Sequence, residues 1–132
     1  MNKSQRVEIC RQALEARECA YAPYSGFAVG AALLAGSGVV FTGVNVENAS
    51  YPAGTCAERT AAFKAVSAGE RQFAAIAVAS QGAAAPCGSC RQVLAEFGRD
   101  MAFILLELDG GVRRETTMCE LLPDGFYPEN LE

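Results

Sequence analysis

Apolar positions along the chain change period from about 3.6 to about 2 and back, and that alternation outlines the elements. Val7, Cys10, Leu14 and Tyr21 recur near helical spacing, predicting an amphipathic helix over 4–19 with Ser4 as its cap and Pro23 as its stop. Phe27 to Leu34 reads as a strand. Gly36-Ser37-Gly38 turns the chain, and Val39 to Val46 reads as the hairpin partner. A polar, Gly- and Pro-containing loop follows from Asn45 to Gly54. A second helix is expected over Cys56–Ala68, with Thr55 as N-cap and Gly69 as its stop. Phe73–Ser80 is short and apolar, like a buried strand, and Gln81–Ala85 is loop. A third helix begins after Pro86 and ends at Gly98. Met101–Leu108 is another buried strand, Asp109-Gly110 a hairpin turn, and Val112–Thr116 its return. Thr117-x-x-Glu120 has the form of a capping box before a short last helix closed by Pro123.

The order α-β-β-α-β-α-β-β-α predicts an α/β fold. Its central strand-helix-strand-helix-strand run implies parallel strands joined by right-handed crossovers. The two hairpins add antiparallel neighbours, so a mixed five-stranded sheet with helices on both faces is expected. No repeat, low-complexity run or linker interrupts the 132 residues, so residues 1–132 read as one domain.

Charge and cysteine content narrow the chemistry. Fifteen acids against eleven bases leave a net charge of −4, and no basic run exists, which argues against a nucleic acid polymer as partner. No apolar stretch approaches the roughly 20 residues of a membrane span, and Met1 to Gln12 lacks a secretory pattern. A cytoplasmic protein is the expectation. In a reducing compartment six cysteines point toward metal or catalytic roles rather than disulfides. The chain has no histidine, so any zinc must be held by sulfur or carboxylate.

Two elements carry the candidate chemistry: Thr55-Cys56-Ala57-Glu58-Arg59 and Pro86-Cys87-Gly88-Ser89-Cys90. Each lies where a strand's following loop enters a helix, the place where open α/β sheets build their sites. Cys56, Cys87 and Cys90 suit a catalytic zinc with three protein ligands and one water. Helix N-termini favour thiolate over thiol. Three thiolates weaken the metal as a Lewis acid; a guanidinium from Arg59 or Arg91 on a ligand sulfur would offset this. Glu58, a non-ligand carboxylate beside the metal, is placed to move a proton from the activated water to a leaving amine.

At these residues the sequence resembles the small, homotetrameric, three-cysteine type of cytidine deaminase. The likeness runs from about Leu14 to Leu131. It includes the stretches Ala22 to Ala32, Gly43 to Pro52, Cys56 to Ala61, Pro86 to Gln92, and Leu121-Leu122-Pro123-x-x-Phe126. The resemblance implies a three-layer α-β-α fold with an antiparallel final hairpin, and a zinc held by Cys56, Cys87 and Cys90. It implies that Glu58 shuttles protons and that Arg59 bonds ligand sulfur. Phe27 would pack on the pyrimidine, and the backbone of Ala57 would contact the base. Asn45 and Glu47 would bind the ribose 3′-hydroxyl. Ala49, Tyr51 and Phe126 would complete a neighbouring subunit's pocket. The implied reaction is hydrolytic deamination of cytidine and 2′-deoxycytidine in pyrimidine salvage.

Other readings of the same residues stand beside this one. The thiols could be small core residues or, with Cys10, Cys19 or Cys119, a closed structural zinc site. Glu58 could simply complete a capping box with Thr55. An aminonucleoside antibiotic deaminase and a thiol redox protein using Cys87 and Cys90 are the alternative functions.

Overall fold

The computed structural model describes residues 1–132. Helix α1 (Lys3–Ala16) is followed by strands β1 (Gly30–Ala35) and β2 (Val40–Val44), helix α2 (Ala57–Ser67) and strand β3 (Phe73–Ala79). Helix α3 (Gly88–Phe97), strands β4 (Ala102–Leu106) and β5 (Val112–Thr117) and the short helix α4 (Met118–Leu121) complete the order. All nine elements stand in the order expected from the pattern. The strands form one mixed sheet in the order β2-β1-β3-β4-β5. β3 and β4 are parallel neighbours, while β1 runs antiparallel to both β2 and β3. β2, β3 and β4 therefore point the same way, with β1 inserted between the first two. The final pair β4–β5 is antiparallel, as expected.

The sheet separates two apolar clusters. Ile9 and Ala13 of α1 pack with Ala32, Leu34, Ala75, Ala77 and Ile104 on one face. Ala57, Ala61, Ala62 and Ala65 of α2 and Leu94 and Ala95 of α3 pack with Leu33, Ile76, Phe103 and Leu105 on the other. The buried stripe of α1 is thus Ile9 and Ala13 with half-buried Cys10 and Leu14; Val7 and Tyr21 are exposed.

Two glycines set the distance between layers. A Cβ on Gly30 would stand 2.2 Å from the carbonyl oxygen of Ala13, and one on Gly43 would stand 2.4 Å from that of Ala57. Both positions exclude any side chain, because the clash is with helix backbone. Gly43 matters more for the site, since it lets the first turn of α2 lie directly on β2.

Several local signals resolve differently. Asn2, not Ser4, caps α1: its side chain accepts from Gln5 N while Gln5 returns a bond to Asn2 N. The helix stops at Ala16 and continues as a 3-10 turn over Arg17–Cys19, well before Pro23. Regular pairing begins at Gly30 rather than Phe27, because Asn45 bonds the Phe27–Val29 backbone through its side chain. Thr117 is the N-cap of α4 without a side-chain cap bond; Glu120 instead accepts from the Thr116 hydroxyl.

Candidate active site

The parallel direction of β2 and β3 brings the N-termini of α2 and α3 to one end of the sheet. Each helix starts on a cysteine. Cys56 is the N-cap of α2 and Cys87 the N-cap of α3, both with extended backbone. Thr55 is therefore not the cap. Its N–H donates to Val46 O at 2.9 Å, tying the segment before α2 to the loop after β2. The capping-box reading of Glu58 falls with it, since that N–H is already engaged.

N-cap and third-residue side chains of a helix meet over its first turn. In α3 this brings Cys90 to Cys87. In α2 the same relation brings Arg59 to Cys56, and its Nη2 donates to Cys56 Sγ at 3.4 Å. The two helix starts then converge: Cys56 Sγ and Cys87 Sγ are 3.8 Å apart, and all three sulfurs lie within 4.8 Å of one another. Sulfurs bound at about 2.3 Å around a tetrahedral ion stand about 3.8 Å apart, so the donor set fits zinc in kind and in spacing. Cys10, Cys19 and Cys119 do not join the cluster.

The electrostatics agree with a thiolate site. The Cys90 thiol, donating to Cys56, holds Cys56 down to about 5, helped by Arg59. Cys90, fully buried, is pushed up as the donor in that pair. Glu58, the second residue of α2, is only 5% exposed and belongs to none of the five ion pairs. Burial pushes its carboxyl up to about 7, and the negative charge at Cys56 acts in the same direction.

A cavity of about 610 Å³ opens over this cluster, a size suited to a small organic ligand. Of the residues expected in the site, Phe27, Asn45, Glu47, Tyr51, Cys56, Glu58, Arg59 and Cys87 line it. Cys90 lies behind the wall, and Ala57 is buried at the start of α2. Ala49 and Phe126 are outside this cavity, and both are exposed.

Asn45 and Glu47 share a side, as alternate residues should. Both also fasten the 24–29 loop. Asn45 Oδ1 accepts from Val29 N at 2.9 Å, and its Nδ2 donates to Phe27 O at 2.7 Å. Glu47 Oε1 accepts from Tyr24 N and Ser25 N at 2.9 and 3.1 Å, while Oε2 accepts from the Ser25 hydroxyl.

Sequence reasoning did not single out Tyr24, Ser25, Asn48, Val78, Ser80, Ala84 and Ala85, which also line the cavity. Tyr24 and Ser25 lay inside a quoted motif. Ser80 carried no signal beyond its place at the end of a strand. Arg91 corrects a second expectation. It does not reach sulfur; its Nε donates to Pro86 O and its Nη1 to Leu121 O, each at 2.8 Å.

Comparison with known proteins matches residues 3–106 to the cytidine and deoxycytidylate deaminase zinc-binding region. The chain belongs to this deaminase family. A cytidine deaminase of Sporosarcina psychrophila is 50% identical over 127 residues, covering 94% of this chain and 93% of the relative. One from Halalkalibacterium halodurans is 49% identical, covering 96% and 97%. The crystal structure of cytidine deaminase from Burkholderia pseudomallei superposes with a TM-score of 0.86 at 50% identity, covering 96% of this chain and all of that one. The corresponding Mycobacterium tuberculosis structure gives 0.80 at 38%, covering 92% and 96%. This deaminase is of the three-cysteine type: an enzyme that hydrolyses a C–N bond, with zinc as its cofactor. No helix is long and apolar enough to cross a membrane.

Proposed function

We propose that this chain hydrolytically deaminates cytidine and 2′-deoxycytidine to uridine and 2′-deoxyuridine with release of ammonia, as a one-domain cytoplasmic enzyme of pyrimidine salvage. The observation that carries this reading is the meeting of three thiols at zinc-ligand spacing beside a cavity whose wall includes the buried carboxylate Glu58. Relatives that align over nearly the whole chain are named cytidine deaminases, which supports the substrate.

Cys56, Cys87 and Cys90 would hold the zinc. Bound there, zinc supplies the Lewis acidity that makes a water nucleophilic near neutral pH. Glu58 is the chain's own proton carrier, placed to accept a proton at its carboxylate and to return one to the departing amine. Its burial keeps the carboxyl from being solvated by bulk water, so its proton exchanges with the reacting groups. Arg59, through Cys56 Sγ, draws negative charge from the thiolates and preserves the acidity of the site.

Phe27 packs on the pyrimidine, and the backbone of Ala57 contacts the base. Asn45 and Glu47 receive the ribose 3′-hydroxyl. A carboxylate in that place repels a 3′-phosphate, which disfavours a polynucleotide. The rim is exposed in one chain: Tyr51 is 78% and Phe27 40% accessible. That exposure supports a homotetramer with shared sites, to which Ala49, Tyr51 and Phe126 contribute across the interface.

The test is ammonia release from cytidine by the purified protein, with zinc measured per chain. Turnover with about one zinc per chain is expected. A zinc-loaded protein without turnover contradicts the substrate; neither zinc nor turnover, after zinc is supplied, contradicts the three-cysteine site.

A further inference from the structure

Arg91, like Arg17 and Arg71, donates from its guanidinium to backbone carbonyls, but it alone of the three does so beside the cysteine cluster. It pairs with no carboxylate: the five ion pairs use Arg6, Arg11, Arg99 and Arg113. It is half-buried one residue past Cys90, and its guanidinium forks between two backbone carbonyls. One is Pro86 O, immediately before Cys87. The other is Leu121 O, at the end of α4, where Leu121 is 5% exposed. The main-chain N–H of Arg91 also donates to Cys87 O at 3.1 Å. One residue thus grips the carbonyls on both sides of the Cys87 α-carbon.

Those two bonds orient both peptide planes that meet at Cys87, whose φ and ψ are −66° and 167°. Little else does so. The Cys87 side chain makes no cap bond, no backbone N–H reaches Pro86 O, and Cys87 and Gly88 are exposed. We infer that Arg91 is a positioning residue for Cys87, holding its sulfur in ligating geometry by bracing the Pro86 carbonyl against α4. This rests on the proposal that Cys87 binds zinc. The planar guanidinium suits the task because it donates in two fixed directions; a lysine ammonium is a single point of charge that cannot span both carbonyls. Arg91 therefore acts on the metal through backbone, whereas Arg59 acts through sulfur.

Gln92 supplies the control. Its Nε2 donates to Phe126 O at 2.6 Å and its Oε1 accepts from Phe126 N at 3.4 Å, so it fastens the same C-terminal segment without touching the Pro86–Cys87 loop. The experiment measures the rate at which zinc-loaded protein yields its metal to a chromophoric chelator. Arg91→Met is expected to release zinc about 10–100-fold faster than wild type, the usual cost of losing a group that orients a ligand. Gln92→Ala is expected to release it at the wild-type rate. Wild-type release from folded Arg91→Met overturns the inference, and so does equal acceleration in Gln92→Ala, which would show only a loosened C-terminal segment. If Arg91→Met does not fold, Arg91→Lys replaces it: faster release is expected, and wild-type release overturns the inference. Cys87→Ala separates the two levels. Full zinc retention there removes the ligand reading and this inference with it. Lost zinc there, together with unaccelerated Arg91 variants, removes this inference alone.

Discussion

Arg59 Nη2 donates to Cys56 Sγ at 3.4 Å, one helical turn after the cysteine that starts α2. Three thiolates would carry one more negative charge than a zinc ion neutralises, so on the proposed mechanism this bond would raise the Lewis acidity of the site. Arg59→Gln removes the charge and keeps some donor capacity. A charged hydrogen bond of this kind contributes about 1.5–3 kcal/mol. kcat is therefore expected to fall roughly 10–100-fold at pH 7 with zinc still bound. Steady-state kinetics with metal analysis on the same sample checks this; unchanged kcat would remove Arg59 from the reaction.

Gly43 couples the sheet to the site. A Cβ there would stand 2.4 Å from Ala57 O and 2.5 Å from Ala61 N, and neither backbone atom can rotate away. Gly43→Val is expected to push the start of α2 off β2, misplacing Cys56 and Glu58 together. Overpacking of this kind costs about 1–3 kcal/mol or more. The melting temperature should fall by several degrees and zinc binding should weaken. Calorimetry with zinc titration would show both, and a variant with wild-type melting and zinc affinity would contradict the packing argument.

Acid stability follows from Arg6 and Glu115, which join α1 to β5 through a 2.6 Å ion pair. The Arg6 hydrogen bond holds the Glu115 carboxyl below its usual value. A depressed carboxylate adds stability above its unfolded pKa, near 4.5, and that stability is lost as pH falls through the folded value. Both side chains are more than a third exposed, so the contribution is at most about 1 kcal/mol. Wild type should melt above Glu115→Gln at pH 6, with the gap closing below pH 4. A gap independent of pH would rule out the ion pair as its source.

Much of this was legible in the chain. Element order followed from hydrophobic period and turn residues, and the cysteine spacing pointed to the helix starts. What stayed hidden depended on distant partners. Thr55 looked like a cap because its residue type caps well; its N–H goes to Val46, nine residues away, which leaves Cys56 to begin the helix. Arg91 looked like a sulfur donor from its place beside Cys90. Its actual partner Leu121 is 30 residues downstream, on an element whose docking no local pattern reveals. Asn45 and Glu47 were read as pocket groups, and they do line it. Their bonds to Phe27, Val29, Tyr24 and Ser25 arise only when the 24–29 loop folds over the end of β2.

The central claim is that Glu58 moves protons beside a zinc held by three cysteines. Glu58→Gln keeps the shape and removes the titrating group. Measured on cytidine with zinc content determined in parallel, this variant should retain its metal and lose about 10²–10⁴-fold in kcat. Near-normal turnover with full zinc would contradict the claim.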